Sequence, residues 1–419
     1  MIVKSYFPSQ VVSDVEKMSY DYGLKVAKAI EAEWFHTERG SNRYKTNHNN
    51  FHNLRLYARG EQSIQKYKDE LSINGDLSYL NLDWKPVPII PKFVDIVVNG
   101  IAERTYDIKA YSQDPYGVEK RTQYMDSILS DMRTKDLSDF AEQAFGIDLY
   151  GNNPETLPGS EEELKLHMQL NYKQAVEIAE EQAINTLLEG NRYELTKKQF
   201  YYDLTVLGIG AVKTSFNTSE GVVVDYVDPA DLVYSYTESP YFNDIYYVGE
   251  VKTIPINELV KQFPHLSPED LEDLVKNKDY NQANYNNNSY NSKEEDNNKV
   301  QVLYFNYKTY MNEVYKVKET GTGADKILPK DDTFNPPEGA DNFGKLQRSI
   351  ECLYDGALIL GTKKLLKWEM SKNMMRPKSD FTKVKMNYSM VAPRMYKGRI
   401  ESLVPVSYTH LTLPTIYPV

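Results

Sequence analysis

Several residue groups in this chain have types and spacings that could do chemistry. His48 and His52 stand four apart, so on a helix they would share a face suited to zinc. No third ligand accompanies them at metal spacing. Asp225, Asp228 and Asp231 recur every third position and could offer carboxylates to a divalent cation. The Asp228-Pro229 corner and ordinary capping account for the last two without a metal. Gly208-Ile209-Gly210 suggests a phosphate cradle, but a cradle needs glycines after a strand and before a helix, with Lys-Ser/Thr or a third glycine following. Here the order is reversed. Lys363, Lys364 and Lys367 beside Trp368 could meet phosphate, although so short a basic run is more often a solvated face. No Walker motif, nucleophile elbow or Cys/His pair at catalytic spacing occurs. The residues therefore predict a protein that is not an enzyme, with no catalytic, cofactor or metal site, in which Gly208, Gly210, Asp228 and Pro229 serve as structural hinge and turn.

Those four residues belong to one stretch, Lys197 to Tyr234, that organises the chain. Its first part, through Leu207, has apolar residues at helical spacing. After the glycines, Val212, Thr214 and Phe216 alternate with Lys213 and Ser215, the pattern of a half-buried strand. Asn217 to Gly221 has turn chemistry and Val222 to Val227 reads as the returning strand. Asp228-Pro229 then stops the hairpin and delivers the chain into Asp231-Leu232-Val233-Tyr234.

Composition narrows the class. With 419 residues, 41% hydrophobic and 26% charged, the chain is long enough for two or three domains and ordinary for a globular protein. No apolar run reaches membrane-spanning length, and Met1-Ile2-Val3-Lys4 lacks a signal-peptide core, which predicts a protein that stays in the cytoplasm where it is made. The single cysteine, Cys352, excludes a disulfide framework within one chain and reads as a small apolar strand residue. The net charge of −11 argues against a protein that grips DNA by neutralising phosphates. It is compatible with a pore through which DNA slides, and equally with any acidic cytoplasmic protein. Tyrosine is abundant, 34 residues against 14 Phe and 3 Trp, which suits either large subunit contacts or core edges of a β-rich fold.

Taken in order, Ser13-Asp14-Val15-Glu16 offers a cap for a helix running toward Gly40. A polar segment, Ser41 to Asn50, precedes the stretch Phe51 to Gln62. Trp84 to Pro91, with three prolines, predicts an extended path, and Pro91 suits the first turn of a helix with Phe93, Ile96, Val97 and Ile101 on one face. A short strand follows at Tyr106 to Tyr111. Residues 117–146 and 160–207 read as helical, with a capping box at Ser160 and a first helix that can run to Leu188. A strand is expected over Tyr241 to Thr253, then short helices from Asn257 and from Ser267. Residues 276–298 form an Asn-rich insert that predicts a surface loop. β patterning resumes at Val300 to Tyr307, Tyr310 to Val317, Ile350 to Leu353, Ala357 to Leu360 and Phe381 to Tyr388, with a loop over Glu319 to Gly344 and a hairpin turn at Tyr354-Asp355-Gly356.

The order helix, Gly-x-Gly strand, valine-rich hairpin and Asp-Pro corner resembles a recurring feature of the portal proteins of tailed bacteriophages, most closely those of crAss-like gut phages. Tyr57-Ala58-Arg59-Gly60-Glu61-Gln62 is similar to the portal N-terminal signature. The proline-rich run before the helix at Pro91 is similar to the portal wing, as is the strand and short helix after the hairpin. The resemblance implies an α+β fold: a portal-like wing with a helical N-terminal half followed by β-hairpins. It divides the chain into a wing-like region at 1–240 and a mainly β region at 241–405, with possible stem or clip parts.

The resemblance further implies a head-to-tail connector that assembles as a dodecameric ring at one capsid vertex of the virion, formed in the bacterial host cytoplasm. Expected partners are further copies of the chain, the major capsid protein, the terminase motor and tail-adaptor proteins. Double-stranded DNA would pass through the channel without specific binding, and no membrane would be involved. Residues 406–419, beginning Val406-Ser407-Tyr408-Thr409-His410, resemble a translated sequencing adapter. They are expected to be a non-native tail on a metagenomic fragment cut short near Pro405, so the tunnel helix and C-terminal crown of a portal would be missing. The residues leave two other readings open: another virion structural or adaptor protein, and a metal-dependent phage nuclease using Asp225, Asp228 and Asp231.

Overall fold

The computed structural model describes residues 6–35, 42–61, 90–103, 108–111, 114–147, 151–152, 157–170, 172–217, 219–267, 269, 271, 299–319, 325–332, 334–336 and 343–404. The fold is α+β, with a helical N-terminal half followed by antiparallel strands. The chain divides into two compact units, Met1–Glu103 with Leu195–Val419, and Arg104–Glu194. Position 240, where the sequence suggests a boundary, lies inside the first unit. The residues expected as an extended run at 84–89, the insert at 276–298 and the tail at 406–419 lie outside the described residues, as does most of the short helix expected from Ser267. Among the described residues, no helix is long and apolar enough to cross a membrane.

The first unit opens with α1 (Asp14–Lys17) and α2 (Tyr20–Phe35). The Ser13 hydroxyl caps α1 by accepting from the Glu16 N–H at 3.3 Å, as its spacing predicts. Helix α3 (Arg43–Arg59) absorbs the polar segment, because the Asn42 side chain caps it. Gly60 ends α3 in the left-handed region at φ 78°, and α4 (Ile90–Ala102) follows in the described chain.

In the second unit, α5 (Pro115–Phe145) starts under an Asp114 cap and ends at left-handed Gly146. The helix expected from 160 to 188 is two helices, α6 (Glu161–Leu170) and α7 (Ala175–Gly190). Gln174 makes the break, because its N–H and side chain form a capping box with Glu177. Nor does the expected strand at 106–111 form over 108–111. There the Ala110 N–H donates to the Glu181 carboxylate at 3.1 Å instead of to a neighbouring strand.

The chain then enters α8 (Tyr193–Val206), followed in the first unit by β1 (Gly210–Asn217) and β2 (Gly221–Tyr226), the expected hairpin. A single 3-10 turn at Pro229–Asp231 leads into β3 (Leu232–Tyr234). β4 (Tyr247–Pro255) starts later than its pattern suggests, because Phe242 takes φ 55° in a turn and buries its ring. Helix α9 (Ile256–Gln262) follows.

The remaining strands are β5 (Lys299–Glu319), β6 (Asp325–Lys330), β7 (Phe343–Ile359), β8 (Leu365–Met370), β9 (Tyr388–Val391), β10 (Met395–Tyr396) and β11 (Arg399–Ile400). Among the described residues these strands form three sheets: β2-β1-β9, β10-β11, and the large one, β3-β4-β5-β7-β8 with β6 also on β5. Strand β9 begins where the sequence reading ends a strand. Residues ahead of it are held in a turn by Asp380, whose carboxylate accepts the Thr382 N–H at 3.0 Å.

The long strands β5 and β7 overturn the turn expected at Tyr354-Asp355-Gly356. All three residues sit in the middle of β7, opposite Tyr307, Asn306 and Phe305 of β5. Phe305 explains this. It pairs with Gly249 on one side and Gly356 on the other, and a Cβ on Gly356 would lie 2.2 Å from its ring. An aromatic ring covering a strand glycine restores the packing that the missing side chain forfeits. The glycine signal thus marks close approach, not a reversal.

The core of the first unit lies between the helices and this sheet. Trp34 of α2 is fully buried, donating to the Tyr234 carbonyl at 3.2 Å and the Tyr247 hydroxyl at 3.0 Å. Trp368 of β8 stacks on Tyr354 at 4.9 Å and fits against Gly23 of α2, where a Cβ would come within 2.4 Å of the indole.

Candidate functional site

The stretch from α8 to β3 brings the four hinge and turn residues into one unit. At Gly208 the helix turns into strand with φ 80°, and a Cβ would lie 2.5 Å from the Glu401 carbonyl oxygen, so both conformation and space require glycine. At Gly210 the Phe200 ring lies where a Cβ would stand, 2.6 Å away. The two glycines thus let α8 and β1 pack closely. Ser402 ties the far segment to this bend, donating its hydroxyl to the Val206 carbonyl.

At the other end of the hairpin, Asp228 accepts the Ala230 N–H at 2.9 Å and Pro229 starts the 3-10 turn. The same carboxylate takes both arms of the Arg55 guanidinium, at 2.7 and 2.8 Å, a bidentate pair reaching from α3. Arg55 also donates to Asp203 of α8 at 3.1 Å, and the second Asp203 oxygen accepts the Tyr226 hydroxyl. Asp231 accepts the Tyr44 hydroxyl at 2.9 Å. Helix α3, helix α8, strand β2 and the 3-10 turn therefore meet in one hydrogen-bonded network.

Its electrostatics follow from crowding carboxylates out of water. Burial raises the Asp203 pKa, against the pull of Arg55. Burial and the neighbouring Asp228 charge push Asp231 up to about 6. For Arg55, burial opposes the charged form but Asp228 outweighs it, so the guanidinium stays protonated. His48 lies near Tyr44, with ring centroids 6.1 Å apart, and burial lowers its pKa despite Asp228.

The carboxylate trio read from the sequence is not assembled. Asp225 is exposed and pairs in register with Lys213 across the hairpin, while Asp228 and Asp231 are held by Arg55 and Tyr44. Among the described residues, no group of three His, Cys, Asp or Glu is placed to hold a metal. Lys367 lies 3.0 Å from Glu369 and 3.9 Å from Asp355, so its charge is balanced locally. Cys352 is buried in β7, its thiol pushed up to about 12 by burial and so kept as the unreactive thiol.

A second polar centre lies under the hairpin. Glu250 of β4 is 3% exposed, paired with Lys213 at 2.8 Å and Lys252 at 3.2 Å, and accepts the Tyr388 hydroxyl at 3.2 Å. Burial works against its charge, but the two lysines hold its pKa below the usual carboxylate range. The adjoining cleft, of roughly 610 Å³, is walled by Tyr304, Asn306, Asp355 and Lys367. Both centres join separate elements of the fold.

Arg55, Asp203, Tyr44 and Glu250 escape the sequence reading. Arg55 and Asp228 are 173 residues apart, and nothing local marks either as the other's partner. A buried Glu250 inside the run Tyr247 to Val251 was the one legible hint, since a charge among strand residues needs a counter-ion.

No protein-family model matches the chain, and no curated protein is significantly similar to it.

Proposed function

We propose that the chain is a non-enzymatic structural subunit of a tailed-phage portal, a ring through which double-stranded DNA passes during packaging and ejection. The observation that carries this reading is the Arg55–Asp228 pair, which fastens the helix bearing Tyr57-x-x-Gly60 to the hairpin and Asp-Pro corner. The two stretches that carry the portal resemblance are thereby parts of one built unit. Asp203, Asp228 and Asp231 of that unit accept from Tyr226, Arg55 and Tyr44, which favours a mechanical role over hydrolysis. Helix α4 adds an apolar face open to a neighbour, with Phe93 52% and Ile96 59% exposed.

In this reading the subunit works by shape: copies close into a ring, the wing hairpin is held rigid, and no residue performs chemistry. Terminase, the major capsid protein and tail adaptors would dock on the assembled ring. The test is to express the chain together with any coding sequence that adjoins it in the source DNA, and view it by negative-stain microscopy. Rings with a central channel support the proposal. Monomers, or a frame that continues without a long amphipathic helix, contradict it.

A further inference from the structure

The unit Arg104–Glu194 is acidic and poorly cored. It holds nine Lys and Arg against eighteen Asp and Glu, a net −9 out of the chain's −11. From Asp136 to Glu163 there are eight carboxylates and no Lys or Arg. Among its described residues the large apolar side chains that are buried are Ile128 and Leu164. Among the described residues the other internal ties include one stacked pair, Tyr124 on Tyr172 at 4.6 Å, and polar contacts. Arg121 pairs with Glu177 at 2.8 Å, Asp131 accepts from the Asn152 side chain at 2.8 Å, and the Gln174 side chain donates to the Gly117 carbonyl at 2.6 Å.

Apolar surface is instead turned outward. Leu137, Phe140, Phe145 and Ile147, at the C-terminal end of α5, are 63, 62, 71 and 54% exposed, and the two phenylalanines meet edge to face at 6.5 Å. A unit of this size ordinarily buries most of its large apolar side chains. Exposed aromatic and aliphatic side chains grouped together mark a contact surface. Its setting selects the partner. Asp136 and Glu142 flank these side chains on the same turns, so a second copy would bring like charge onto like charge, which disfavours docking by this face.

We propose that the C-terminal end of α5 is a docking surface for a basic amphipathic helix of another protein, whose apolar stripe covers Leu137, Phe140 and Phe145 while its Lys or Arg residues meet the surrounding carboxylates. The inference rests on burial and charge in this unit alone and holds whether or not the chain forms a ring. Packing of the partner's apolar stripe on this exposed helix face supplies the affinity, and the field of the acidic unit supplies steering and salt dependence.

The experiment uses the full chain and a fluorescein-labelled helical peptide of about twenty residues, leucine at helical spacing and lysine elsewhere. A second peptide carries glutamate in place of lysine. Anisotropy should give saturable one-to-one binding of the lysine peptide, weakened by about tenfold or more between about 50 mM and about 300 mM salt. The glutamate peptide should not bind. Phe140→Glu and, separately, the milder Phe140→Ser should each weaken binding by about tenfold or more, while Phe93→Ser on α4 leaves it within about twofold. Unchanged circular dichroism and melting temperature confirm that the variants fold. Binding indifferent to both Phe140 substitutions overturns the proposal, as does absence of saturable binding. So does sedimentation in which Phe140→Ser converts an oligomer to a monomer, since a second copy would then be the occupant.

Discussion

Arg55 reaches from α3 across to Asp228 and binds both its carboxylate oxygens, at 2.7 and 2.8 Å, while the same carboxylate accepts the Ala230 N–H. One aspartate thus serves two purposes: it caps the turn that ends the hairpin and anchors that turn to an N-terminal helix. Arg55 also touches Asp203, so a single guanidinium fixes both the helix entering the glycine bend and the corner leaving the hairpin.

Removing this residue leaves two carboxylates facing each other with no cation. Arg55→Ala is expected to cost about 3 kcal/mol, the usual penalty for breaking a largely buried pair from one side. Arg55→Lys should recover less than half, since an ammonium cannot match the planar fork. Denaturant unfolding of the three proteins checks this, and a lysine variant as stable as the wild type would count against the bidentate role.

Asp231 gives a pH signature. Its folded pKa of about 6 lies above that of an unfolded aspartate, so folding binds a proton there. The group's contribution is most favourable below the unfolded pKa, near 4, and is lost as pH rises through 6. The full gap corresponds to about 3 kcal/mol. Asp231→Asn, which keeps an acceptor for Tyr44, should therefore raise the melting temperature at pH 7.5 and gain progressively less as pH falls from 6 to 4. A benefit that does not shrink over that range would contradict the assignment.

Glu250 obeys the opposite sign, and its pair can be dissected by a double-mutant cycle. Lys213→Met leaves a carboxylate that is 3% exposed with Lys252 as its remaining ammonium partner and should cost about 3 kcal/mol. Lys213→Met combined with Glu250→Gln should cost clearly less than the single change, because the buried charge goes as well. Equal losses in the two proteins would mean that Lys252 alone suffices for Glu250.

The pairing of Phe305 with Gly356 predicts coupling across the sheet. Gly356→Ala puts a methyl group into the ring and is expected to cost about 2 kcal/mol, within the range for overpacking. With Phe305→Leu as background, the same change should cost less than half as much. Thermal unfolding of the four proteins decides it, and additive effects would show that the ring does not set the glycine requirement.

Gly208→Ala meets two obstacles together, the left-handed backbone and the Glu401 carbonyl. A loss of about 2 kcal/mol or more is expected, against a gain if the position were an ordinary helix end. Stability measured by urea titration separates these.

Much of the local architecture is legible in the sequence because it rests on short-range chemistry. The Ser13 cap, the hairpin from Gly210 to Tyr226 and the Asp228-Pro229 corner all follow from residues within a few positions of one another. Errors arise where a distant partner decides. Tyr354-Asp355-Gly356 has turn composition, yet Phe305 fills the space above Gly356 and carries β7 straight through. The carboxylates near 228 resemble a metal set until Arg55 and Tyr44, more than 170 residues away, occupy them. The concentration of acid in Arg104–Glu194 was present in the sequence but invisible to a single net charge for the whole chain.

The central claim, that this is a ring-forming structural subunit, is tested most directly by the mass of the particle formed by that expressed chain, measured by native mass spectrometry. The account predicts one closed assembly of about a dozen identical chains, stable on dilution and formed without nucleotide or metal. A monomer or dimer at every concentration would contradict it.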